Sequence, residues 1–244
     1  MTPPDLTVVV MTFDESATLA RTVDEIRQEL LRLGRPWEIL IVDDGSRDDS
    51  GVVADQLSAR DPSIRVVHHP VNRGLGGVYR TGFTEARGDH VTFFPADGQF
   101  PASIIPEFRG AVDGADMVLG LLPPRRDSRL GHLLSTIERA LYRVVVGPMP
   151  PFQGILLFRR RLLTGMPLRS EGRGWGILME FLLRAHRSGA TFVNRTTKLR
   201  SRAVGRSKVN NLRTILANAL QILVLRALLR DTSPQPRPSG MTDA

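Results

Sequence analysis

The chain has 244 residues, 41% of them hydrophobic and 24% charged, which is enough for one large or two small globular domains with a buried core. Its formal charge of +8 is unevenly laid out: 11 Lys+Arg stand against 19 Asp+Glu up to Gly120, and 22 against 6 beyond it. Nearly all the cations are arginines scattered among apolar residues, and aromatics make up only 6%, so nucleic acid is disfavoured as a partner; the lack of cysteine excludes disulfides, thiolate metal sites and cysteine nucleophiles. Leu6 to Val10, short and β-branched, reads as a buried strand, with Asp14 or Ser16 capping the helix that follows. Leu19, Val23, Ile26, Leu30 and Leu33 give that helix one apolar face. Glu38 to Val42 is a second strand ending in Asp43-Asp44-Gly45-Ser46; a helix around Val52 to Ala59 and a third strand, Ile64 to Val67, come next. Asn72 to Gly77 forms a glycine-rich turn into a helix reaching about Ala86, and a fourth strand, Val91 to Phe94, delivers Asp97.

Four alternations of strand and helix, with connections of this length, predict a doubly wound, mostly parallel α/β sheet. Ligands of such sheets bind outside the carboxyl ends of the strands, and that edge collects Thr12, Asp14, Glu15, Asp43, Asp44 and Asp97. The bland role for any of these acids is a helix cap or a solvated loop charge, and Asp14, Asp48 and Asp49 are assigned to it. Asp97 and Gln99, two residues apart on either side of Gly98, place two oxygens where a hard cation with a nucleotide substrate would sit, because Mg²⁺ takes few protein ligands and fills its shell with water and phosphate. Gly74-Leu-Gly76-Gly77 has neither the dinucleotide nor the P-loop spacing, so hydride chemistry and a P-loop are disfavoured.

Beyond Gly120 arginines thicken at 125, 126 and 129, at 159 to 161, and at 200, 202 and 206, followed by Lys208. Guanidinium groups near a diphosphate would neutralise charge on a leaving nucleoside diphosphate. Ile177 to Ala185 reads as a helix that sets Glu180 among apolar residues, where it needs a partner or a function. From Asn210 to Arg230 an amphipathic helix either packs on the domain or lies in a membrane interface, with Arg213, Arg226 and Arg230 toward anionic head groups; the Pro/Ser-rich residues 231–244 read as a disordered tail. No charged and apolar leader opens the sequence, and no apolar stretch reaches the roughly 18 residues of a membrane span, so a cytoplasmic protein, peripheral at the inner membrane face, is expected.

These motifs, in this order, resemble those of the family-two inverting glycosyltransferases of GT-A fold, and among them the dolichyl- or polyprenyl-phosphate mannosyltransferases. Met11-Thr-Phe-Asp-Glu15 stands at that family's Pro-Thr-Tyr-Asn-Glu, Val42-Asp-Asp-Gly-Ser46 at its Val-Asp-Asp-Gly-Ser, and Pro95-Ala-Asp-Gly-Gln99 at its Asp-Ala-Asp-x-Gln. Arg202-Ala-Val-Gly-Arg-Ser-Lys208 stands at its Arg-x-x-Gly-x-Ser-Lys. The resemblance implies a domain over residues 1–208 in which Thr12, Phe13, Glu15, Asp43, Asp44, Ala96 and Asp97 hold the nucleoside diphosphate, and Asp97 and Gln99 hold Mg²⁺ or Mn²⁺. Arg126, Arg129, Arg202 and Lys208 would meet phosphates, with Asp97, Arg202 and Lys208 as the catalytic set. It implies transfer of a hexose, mannose or glucose, from a GDP- or UDP-sugar to a polyprenyl phosphate. The sequence departs from the family where Pro95 replaces the first metal acid and where Pro148 to Gln153 replaces an acidic segment, which bears on metal affinity. Two other readings stay open: a transferase with a soluble acceptor, using Glu180 as base, and a non-catalytic nucleotide-sugar-binding protein.

Overall fold

The computed structural model describes residues 3–122 and 151–200. The elements run β1 (Leu6–Thr12), α1 (Ser16–Leu33), β2 (Trp37–Asp43), α2 (Ser50–Arg60), β3 (Ile64–His68), α3 (Gly74–Glu85), β4 (His90–Pro95), α4 (Ile104–Ala111), β5 (Met117–Leu121), β6 (Leu156–Arg159), α5 (Gly176–Arg187) and β7 (Phe192–Thr196). Short 3₁₀ turns follow α4 at Val112–Gly114 and β6 at Arg160–Leu163.

The strands form one sheet in the order β3-β2-β1-β4-β6-β5-β7. β1 pairs in parallel with β2 and β4, β2 with β3, and β5 with β7, whereas β6 runs antiparallel between β4 and β5. The expected parallel half is therefore present, and a mixed half that the residue pattern did not disclose completes it.

Val8 and Val10 pack with Leu19, Val23, Ile26 and Leu30 of α1, Ala54 of α2 and Ile105 and Phe108 of α4, while Val9 faces a second cluster with Val78 and Tyr79 of α3 and Phe181 of α5. Alternation along a strand thus fills two cores, one on each side of the sheet. Each of the larger of these side chains, valine, leucine, isoleucine or phenylalanine, contributes about 1.5–3 kcal/mol when fully buried relative to exposure. Arg109, buried in α4, donates to both oxygens of Asp5 at 2.7 and 2.8 Å and to Asp113 at 2.7 Å, fixing the start of β1 to the helix layer.

Pro95 fits the last position of β4 for a topological reason. The N–H of Ala96 reaches Met11 O on β1 at 3.0 Å, so position 95 points its missing donor the other way. There the pairing with β6 covers only His90 to Thr92.

Candidate active site

The register places Thr12 beside Asp43 and Met11 beside Pro95, so β1, β2 and β4 end level and send their following loops to one edge. The first two of these loops are laced together. Asp14, the one described non-glycine residue with positive φ (52°), gives its N–H to Ser46 Oγ at 3.0 Å and accepts from Arg47 N–H at 2.7 Å. Glu15 N–H reaches Ser50 Oγ at 2.9 Å, and Ser16 N–H reaches Asp48 Oδ2 at 3.0 Å. The cap of α1 is therefore Asp48, supplied from across the loop pair, and neither Asp14 nor Ser16 caps it as the sequence suggests. Burial works against the charge on Asp48, but the Ser50 hydroxyl and the amides of Ser16 and Ser50 outweigh it and hold the carboxyl well below the usual carboxylate range.

Asp43 and Asp44 are both buried, at 5% and 3% exposure, and each is held by a histidine of the neighbouring segment. Asp43 accepts from Ser46 N–H at 3.1 Å and lies 2.9 Å from His68 Nδ1, whose other nitrogen is 3.0 Å from Asp55. Asp44 lies 2.6 Å from His69 Nδ1 and accepts the amides of Arg73 and Gly74, both at 2.8 Å. Its carboxylate therefore fastens the start of the glycine-rich turn. Gly74 enters α3 at φ 73°, and a Cβ there would stand 2.6 Å from Arg173 O, so the turn needs glycine on both counts. The segment before α5 rests on this turn: Gly76 N–H donates to Arg173 O at 2.8 Å and Arg173 grips Asn72.

Asp97 follows β4 on the same edge. Its Oδ1 accepts Gln99 N–H at 3.1 Å across Gly98, whose φ is 69°. Thr22 of α1 supports this loop by donating to Ala96 O at 3.2 Å, and Arg200 N–H reaches Gln99 O at 2.8 Å while its guanidinium pairs with Glu25 at 2.6 Å. Thr12, at 2% exposure, carries a hydroxyl with no partner among the described residues. Phe13 and Glu15 belong to the same loop, and Ala96 is buried beside Asp97. The structure thus brings Thr12, Phe13, Glu15, Asp43, Asp44, Ala96, Asp97 and Gln99 to one edge. Arg126, Arg129, Arg202, Lys208 and the Asn210 to Arg230 stretch lie outside the described residues.

Among the described residues no cluster of three histidine or acidic side chains is arranged to hold a metal. Asp97 and Gln99 offer two side chains as protein ligands. That donor set fits a cation delivered with a diphosphate and does not fit a resident, fully protein-ligated centre.

Glu180 is placed elsewhere. It is fully buried in α5, accepts the amides of Arg169 and Ser170 at 3.0 and 2.7 Å, and pairs with Arg184 Nε at 2.8 Å. The partner it needs is present, and a carboxylate so enclosed is unsuited to the role of base. Sequence reasoning missed the His68 and His69 contacts and the Ser50 relay; the tandem pairs Asp43-Asp44 and His68-His69 on adjacent strands were the available signal, since Asp43 and His68 share a register position.

A family model for glycosyl transferase family 2 matches residues 7–194. An undecaprenyl-phosphate 4-deoxy-4-formamido-L-arabinose transferase of Pseudomonas aeruginosa is 38% identical over 170 residues, 67% of this chain and 50% of the relative. An undecaprenyl-phosphate mannosyltransferase of Micrococcus luteus is 29% identical, covering 79% of this chain and 86% of the relative. The chain spans about half the length of the formamido-arabinose transferases it matches. Among solved structures, a Mycobacterium tuberculosis glucosyl-3-phosphoglycerate synthase, in complex with Mn²⁺, UDP and glucosyl-3-phosphoglycerate, superposes with a TM-score of 0.65 at 21% identity over 95% of this chain and 81% of that one, a likeness of fold.

Proposed function

Since the chain belongs to glycosyl transferase family 2 and is a glycosyltransferase, we propose that it moves a hexose from a nucleoside-diphosphate sugar to a polyprenyl phosphate. The observation that carries this reading is the convergence of Thr12, Asp43 and Asp97 from three level strand ends onto one edge, inside the region the family model matches. Support for the acceptor comes from the relatives named for undecaprenyl phosphate and, in Pyrococcus furiosus, for dolichol phosphate.

In this reading Thr12, Phe13, Glu15 and Asp43 hold the nucleoside, and Asp44 acts through the glycine-rich turn that it fastens. A phosphate oxygen of the acceptor attacks C1 of the sugar in line, the C1–O bond to the diphosphate breaks, and the nucleoside diphosphate leaves. A phosphate is anionic near neutral pH, so the attack needs no general base. This matches an edge whose buried carboxylate Asp44 is already engaged, while Glu180, the base named for a soluble acceptor, lies in the core. A Mg²⁺ or Mn²⁺ ion entering with the donor and held by Asp97 and Gln99 would offset the charge on the leaving diphosphate. Arg202 and Lys208, with Arg126 and Arg129, complete the phosphate contacts.

The test is incubation of the protein with radiolabelled sugar nucleotides, Mg²⁺ and polyprenyl phosphate. Label in the organic phase supports the proposal. Label in an aqueous product would transfer the assignment to a soluble acceptor, and binding without turnover would overturn catalysis.

A further inference from the structure

At the opposite edge of the sheet, where β4 begins and β6 ends, a cavity of about 340 Å³ is lined by Asp89, His90, Arg159, Arg160, Arg161 and Thr164. It lies a whole strand away from Asp97, roughly 20 Å at the rise of a β-strand. The three arginines are not equivalent. Arg159 is spent on the carbonyls of Val112 and Ala115 at 2.9 and 3.2 Å, and exposed Arg161 pairs with Asp116 at 2.8 Å. Arg160 is anchored at its root, with its backbone N–H on Asp89 O at 2.7 Å and Nε on Gly88 O at 2.8 Å, while neither terminal nitrogen has a partner among the described residues. The result is a guanidinium fork fixed at one end and open at the other, the arrangement that takes an oxyanion bidentately.

His90 adds a second requirement. Its Nδ1 lies 3.0 Å from the backbone carbonyl of Asp5, and a carbonyl only accepts, so Nδ1 carries the proton. Burial, with Arg109 nearby and against the pull of Asp5, keeps its pKa below the ordinary value. Nε2 is therefore a bare acceptor, buried and without a partner among the described residues. A bare dianion would set its lone pairs against those of His90 Nε2 and the carboxylate of Asp89. A ligand suited to this lining brings a hydroxyl as well as a charge, and the cavity is large enough for more than inorganic phosphate.

We propose that this cavity binds a small phosphate monoester carrying free hydroxyls, with the phosphate on the open fork of Arg160 and a hydroxyl donated to His90 Nε2. Nε2 is buried, so the hydroxyl reaches it through a shift of the exposed rim side chains Arg161 and Thr164. The test is calorimetric titration of the full chain with sn-glycerol 3-phosphate at mildly alkaline pH, beside ethyl phosphate, which has the same charge and no carbon-borne hydroxyl. Saturable binding of the glycerol ester is expected, weakened by about tenfold or more both in Arg160→Ala and on changing to ethyl phosphate. Absence of saturation, equal binding of the two esters, or unchanged affinity in Arg160→Ala would each overturn the proposal. The comparison of esters uses the wild-type protein, so it stands even if the variant is unstable.

Discussion

Asp43 and Asp44 are neighbours in sequence and alike in burial, yet their surroundings give them different work. Asp44 is enclosed, its histidine partner only 3% exposed and its oxygens taken by backbone amides, whereas the His68 side chain on Asp43 is 40% exposed. The hydrogen bond that His68 makes to the Asp43 carboxylate raises its pKa, burial opposes the rise, and Asp55 adds to it. A raised folded-state pKa means that this contribution to stability is complete below the unfolded value of about 6.5 and is lost as pH climbs through the folded one. Exposure limits it to about 1 kcal/mol or less. Thermal melts across that window should show wild type losing an increment that His68→Gln lacks; identical pH profiles would refute the linkage. Asp97 is tested through turnover, where Asp97→Asn should abolish transfer with the fold intact by circular dichroism, and wild-type turnover would remove it from the site. Pro95→Asp should lower the half-saturating Mg²⁺ or Mn²⁺ concentration, since a second anionic ligand strengthens a sparse site. The strand tolerates this change because the restored N–H points past the end of the β6 pairing. An unchanged metal requirement would show that position 95 does not face the ion.

Elements differ in how far their residues disclose them. The first four strands and three helices are legible because short apolar, β-branched runs alternate with helical stretches from Leu6 to Phe94, and such alternation admits few topologies. β6 is another matter: Leu156-Leu-Phe-Arg159 is four residues long, and nothing local says that it enters antiparallel between β4 and β5. The same limit hid the lacing of the loops after β1 and β2, where Ser50 and Asp48 serve a helix more than thirty residues earlier. The residues of the edge were readable from motifs, but their partners were not, because pairing across strands is decided by register. Glu180 shows the gap in α5. The sequence marked it as a carboxylate in an apolar stretch, and only the fold shows it holding Arg184 and the amides of Arg169 and Ser170. Glu180→Gln leaves Arg184 without its anion in a buried setting, a loss of about 3–5 kcal/mol by urea unfolding. A variant with wild-type stability but no turnover would instead restore Glu180 to the chemistry.

Across the whole molecule, the acidic first half and basic second half meet within one sheet, and pairs such as Glu25 with Arg200 join them across the sequence. The proposed polyprenyl-phosphate acceptor calls for a route to lipid. No helix among the described residues is long and apolar enough to cross a membrane. We propose that contact with the bilayer is made by Asn210 to Arg230, where an apolar run stands together with Arg213, Arg226 and Arg230. If that stretch lies in the interface, two forces hold it there, and salt separates them because screening weakens the attraction to anionic lipid and leaves apolar burial untouched. Replacing the three arginines with glutamine should weaken binding to anionic liposomes at low salt by about 100-fold, at about 1 kcal/mol for each cation near the surface. In high salt wild type and variant should converge on the same residual, apolar affinity. A chain ending at Lys208 should lose liposome binding in both conditions and keep nucleotide binding, because every residue assigned to the nucleotide lies at or before that position. If the intact protein ignores liposomes, or the shortened chain binds them equally well, the lipid is reached by another surface or is not the acceptor.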